Sequence, residues 1–116
     1  MNPSLLIVIT LDPRRSARPA EAVRIAAGVG TWKRVNIGLY LRDAAILILS
    51  EDAEEFVDGT HFRRYLPLIR DSGNGIYVQA SSPFLDEIDP SVVPYQAVST
   101  QELGILSAQN DYVVSF

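Results

Sequence analysis

The chain contains no cysteine. That absence removes disulfides, thiolate nucleophiles, zinc–thiolate sites and iron–sulfur clusters from consideration. It has a single histidine, His61, so no multi-histidine metal site can form within one subunit. No metal and no cofactor is expected. Met1 to Ser4 carry no basic side chain, so the start does not read as a secretion signal. The longest apolar run, Ala44 to Leu49, is far shorter than the ~20 residues of a membrane-spanning helix. A soluble, cytoplasmic protein without a membrane partner is the simplest expectation. Positive charge is also scarce, with a net charge of −4, which argues against a general nucleic-acid binder.

What remains is an ordinary globular composition, 47% hydrophobic and 21% charged, in 116 residues. A chain of this size forms one domain, here 1–116, with a core that needs no staple. Leu5 to Leu11 is nearly all apolar and reads as a strand buried on both faces. The loop Asp12–Pro19 follows it. A helix comes next, with Ala22, Val23, Ile25, Ala26, Ala27 and Val29 on one broad face, ending at Gly28 or, better, Gly30. Arg34–Leu41 alternates as a second strand. Asp43 caps a short helix to Ser50, and an acidic turn leads to a helix with Phe62, Tyr65, Leu66 and Ile69 at helical spacing. Pro67 predicts a kink or a late start for that helix, and Gly73 or Gly75 closes it.

Gly75–Gln79 is the third strand, and Ser82 with Pro83 starts a short helix or turn. Tyr95–Ser99 is the fourth strand. Ser99 or Thr100 caps the last helix, and the segment from Asp111 closes the sheet. Alternation of this kind predicts a three-layer α/β/α sandwich with a mainly parallel five-stranded sheet. Ligands of such sheets sit outside the carboxyl ends of the strands. Here those loops begin at Asp12, Arg42, Gln79 and Ser99.

Each chemical candidate has a plain structural role beside it. Arg14, Arg15 and Arg18 could hold a small anion ahead of a helix N-terminus, or could be a solvated charged loop. Asp43 could orient a ligand in the same crevice, or only cap a helix. His61 is the one side chain that titrates near neutrality unaided, yet a lone histidine at a helix start is usually a surface or capping group. Ser81, Ser82 and Ser99 lie in no nucleophile elbow, and turn and cap roles suffice for them. Asp86, Glu87 and Asp89 read as a solvated acidic turn. An enzyme built on His61 would need a strand-end carboxylate or serine within hydrogen-bond reach. A phosphoacceptor signalling domain would want an acidic cluster after the first strand, where Asp12 stands alone.

The order of "LLIVITLDPRRSARPAEAVRIAAGV", "VNIGLYLRDAAILIL", "GIYVQASS" and "DYVVSF" resembles the DsrE/DsrF/DsrH sulfur-relay family, with its TusBCD-type subunits. The resemblance spans nearly the whole chain. It implies a DsrE-like, flavodoxin-like topology and assembly as a homo-oligomer, or as a hetero-oligomer with DsrE-like subunits. In active members the third strand ends in a sulfur-carrying cysteine. Here Gln79 stands there, and neither Ala80 nor Ser81 supplies a thiol in a shifted register. A persulfide relay needs that sulfur. The resemblance therefore implies a non-catalytic assembly or anion-binding subunit, with Asp12, Arg14, Arg15, Asp43, Gln79 and Ser81 around any ligand and His61 as an outlying candidate. Trp32, Phe56, Tyr112 and Phe116 are the apolar candidates for an interface.

Overall fold

The computed structural model describes residues 2–32, 34–72 and 75–116. Its strands are β1 (Ser4–Ile9), β2 (Asn36–Leu41), β3 (Gly75–Gln79), β4 (Gln96–Val98) and β5 (Tyr112–Ser115). They form one sheet in the spatial order β4-β3-β2-β1-β5, and every pairing is parallel. The helices are α1 (Arg18–Trp32), α2 (Thr60–Ser72) and α3 (Thr100–Gln109), with 3-10 helices at Asp43–Leu49, Ala53–Glu55 and Pro83–Glu87. This is the α/β sandwich that the alternating pattern predicts.

Alternation along the strands divides the core in two. Ile7, Ile9, Ile37, Leu39, Leu41, Ile76 and Val78 pack with α1, α2 and the Asp43–Leu49 segment in one large cluster. On the opposite face Leu6, Tyr40 and Val98 form a much smaller cluster with Val8, Tyr77, Leu103 and Leu106 of α3. β2 is central and buried almost throughout, whereas β5 is an edge strand exposed along its whole length. It is held at both ends. The Ser4 backbone N–H donates to Asp111 Oδ2 at 2.8 Å, and the Phe116 N–H donates to the Val8 carbonyl at 2.8 Å.

Several boundaries differ from expectation for physical reasons. α1 runs through both Gly28 and Gly30 to Trp32, so neither glycine is a cap. A Cβ at Gly30 would lie 3.3 Å from Ile37, so that glycine lets the helix approach the start of β2 closely. β2 begins at Asn36, not Arg34. The Asp43–Leu49 segment is a 3-10 helix with Ala45 to Leu49 all buried. A run apolar on every side has no polar stripe to face water, so it is sunk into the core as a tight connector. Pro67 sits inside α2, which starts on time at Thr60 and continues past it. Burial of Phe62, Leu66 and Ile69 offsets the one backbone hydrogen bond that proline forgoes. Gly75 opens β3 with φ +109 instead of closing the helix, and Gly73 lies outside the described residues.

The turns are built by specific caps. Ser82 Oγ accepts from the Phe84 N–H at 3.2 Å with Pro83 behind it. Ser99 and Glu102 form a reciprocal capping box at the start of α3. Gly59 links the Ala53–Glu55 turn to α2 in a confined space, where a Cβ would overlap the Ala53 and Glu54 carbonyl oxygens. Gly59→Ala is therefore expected to destabilise the fold by about 2 kcal/mol or more, read from urea denaturation, the overpacking having only backbone to displace.

Candidate functional site

The sheet-end loops bring some of the candidate residues together. β3 ends at Gln79, and the side-chain Oε1 of that residue accepts the Asp43 backbone N–H at 3.0 Å. Asp43 does not cap the segment that it begins. Arg42 occupies the cap position, and Asp43 is its first residue, with φ +53. A non-glycine residue in the left-handed region carries a conformational cost, and aspartate is among the few that tolerate it. Gln79 thus braces the strained turn that follows the neighbouring strand, and the amide oxygen is committed to that bond. Ser81 is exposed in the turn beyond it.

The arginine loop is largely self-contained. The Arg14 Nε and Nη2 atoms lie 3.0 and 2.9 Å from the two Asp12 carboxylate oxygens, a forked pair, and the Arg14 N–H donates to Asp12 Oδ1 at 2.9 Å. The guanidinium also lies 5.9 Å from the centre of the Phe84 ring, and the Glu87 charge acts on it. Arg14 is thereby neutralised by acids of its own chain. Arg15 and Arg18 are exposed and form no ion pair among the described residues. Phe84 is the member that sequence reasoning passed over. Its signal was the Ser82–Pro83 start, which fixes where the following aromatic points.

His61 stands apart from this end of the sheet. It is half-buried near the start of α2, and its ring packs edge-on against Tyr65 with centroids 5.7 Å apart. It lies near Glu21 of α1, and its Nδ1 is buried without a hydrogen-bond partner among the described residues. The histidine therefore belongs to the α1–α2 seam, and among the described residues no strand-end serine or carboxylate hydrogen-bonds to it. Among the described residues no cluster of three or more histidine, aspartate or glutamate side chains could hold a metal ion. No described helix is long and apolar enough to cross a membrane.

Solved structures share this architecture. The ychN protein of E. coli superimposes with a TM-score of 0.78 over the full length of both chains, at 15% identity. The chain shares its fold. A conserved protein of unknown function from Bacteroides thetaiotaomicron matches with a TM-score of 0.60 at 16% identity, over 97% of this chain and 94% of its own. No family model matches the sequence, and no curated protein does. Likeness to ychN at this identity fixes the arrangement of strands and helices, and leaves each side chain at the strand ends to be judged on its own geometry.

Two outcomes follow for these loops. Gln79→Met keeps the side-chain length and removes the acceptor, so a loss of about 1 kcal/mol in denaturant unfolding is expected, with Asp43→Gly in the same background recovering part of it. Asp12 is held below its ordinary pKa, chiefly by the hydrogen bond from the Arg14 side chain. A carboxylate depressed in the folded state stabilises above its unfolded pKa and loses that contribution as pH falls through the folded value. The small stability difference between the natural chain and Asp12→Asn is thus expected in full at neutral pH, should begin to shrink as pH falls to about 4, the ordinary aspartate range, and should vanish only below the depressed folded value.

Proposed function

We propose that the chain is a non-catalytic assembly or small-anion-binding subunit, related to intracellular sulfur-relay proteins of the DsrE/DsrF kind. The observation that carries this reading is the state of the β3 terminus. Gln79 occupies it with an amide already engaged by Asp43 N–H, and the sequence holds no thiol that could carry sulfur. The fold is of the kind that the sequence resemblance implies, and it is shared with the ychN protein. Arg15 and Arg18, exposed and outside any ion pair among the described residues, are the cations of this loop open to a small anion.

The assembly part of the reading draws on the open β5 edge and on α3. Tyr112, Val113 and Val114 of β5 are 65, 46 and 43% exposed, and Ile105 of α3 is 61% exposed. Apolar side chains on both faces of an edge strand, and on α3 beside it, favour cover by a partner chain. Phe56 and Phe116, expected as interface residues, instead pack against the main core, and the Trp32 side chain lies outside the described residues. Tyr112 alone of that set is freely presented.

Size-exclusion chromatography with light scattering tests the reading. A mass above the 12.8 kDa of one chain is expected, alone or with a cysteine-bearing DsrE-like protein. Val114→Asp should reduce it while leaving the melting temperature of the monomer within a few degrees, because an exposed position contributes little to the fold. A strict monomer that captures no such partner would overturn the assembly reading.

A further inference from the structure

Between β3 and β4 the chain has no α-helix, only the 3-10 helix Pro83–Glu87 and a loop through Pro90 and Pro94. The flank of α2 that a full crossover helix would cover instead borders a cavity of about 390 Å³. Ile48, Ala53, Phe62, Leu66 and Pro67 contribute apolar wall, and Val92 and Val93 of the loop close it from the other side. The volume falls within the range of small-molecule sites, which pair an apolar lining with a few polar groups.

The polar groups are arranged unevenly. Arg63 and Arg70 project from the same flank of α2, seven residues or about 10 Å apart along the helix. Glu51 and Glu54 line the cavity too, and Glu54 pairs with Arg63 at 3.0 Å. The Arg63 end is therefore acidic on balance. At the other end Arg70 is the only charged group lining the cavity, and its carboxylate partner, Asp71, lies outside the lining. That pair is solvent-exposed, so an incoming anion can compete for the guanidinium at little cost. Ser50 also lines the space, and its hydroxyl has no hydrogen-bond partner among the described residues. Turning it into the cavity would break no hydrogen bond.

We infer that this cavity binds a small amphipathic anion, an aromatic or branched apolar body carrying one carboxylate or sulfonate that pairs with Arg70. The site lies away from the Arg14 and Gln79 loops and on the opposite face of the sheet from α3, so it stands whether or not the assembly reading holds. The probe is 1-anilinonaphthalene-8-sulfonate, titrated by fluorescence beside its uncharged parent, N-phenyl-1-naphthylamine. Saturable binding of both is expected. Arg70→Gln should weaken the sulfonate about tenfold or more and leave the neutral compound within twofold, as removal of one charge-assisted hydrogen-bonding partner implies. Val93→Trp, which fills the cavity, should abolish both, with an unchanged melting transition showing that the fold is kept. Ile105→Asp, on the other face, should change neither. Sulfonate binding that ignores Arg70→Gln, or that survives Val93→Trp and is lost with Ile105→Asp, would overturn the assignment.

Discussion

One constraint, the right-handedness of parallel crossovers, shapes the rest of this molecule. From β1 to β2, β3 and β4 the chain advances in one direction across the sheet, so α1, α2 and the β3–β4 connection must share a face. The step from β4 to β5 reverses across the whole sheet, so α3 alone occupies the other face. One side accordingly receives two long helices and a buried 3-10 segment, and nearly all the large buried side chains. The other receives ten residues of helix, with none of them fully buried. The dense core, the thin face and the exposed edge at β5 share that single topological cause.

Within the dense layer the distribution is also uneven. α1 and α2 pack against each other over β1, β2 and β3, while the last crossover on that face is reduced to a 3-10 helix and a proline-bearing loop. The cavity beside α2 is the space left by that reduction. At the carboxyl ends of the strands the chain has spent its polar groups on itself: Gln79 on Asp43, Asp12 on Arg14, Ser82 on Phe84. These bonds fix loop shape and leave few open valences for chemistry.

Much of the architecture was legible in the sequence because it depends on period and punctuation. The apolar run from Leu5, the alternation in Asn36–Leu41, and the caps at Ser82 and Ser99 each act locally, and each gave its element directly. Residues whose role depends on what lies across space were misread. Gly30 looked like a helix stop because its neighbour Ile37 on β2 is invisible from within the helix. Asp43 looked like a cap because the acceptor that takes its N–H lies 36 residues away. Arg14 looked like a free cation although its acid stands two residues before it. The cavity beside α2 could not be read at all, since it is defined by a helix that is not there.

The two edges of the sheet are not equivalent. β4 is three residues long, with Pro94 just before it, and such an edge resists a further strand. β5 has neither proline nor lysine along it. Symmetry then limits what edge-on growth can do. Two copies meeting through β5 about a twofold axis run antiparallel there, bury both open edges at once and stop, leaving a β4 at each outer rim. A head-to-tail stack of β5 on β4 would have no end, and the short, proline-flanked β4 is what denies it a template. The two edges thus differ in what they offer a further strand, an open run along β5 and a short, proline-flanked one at β4.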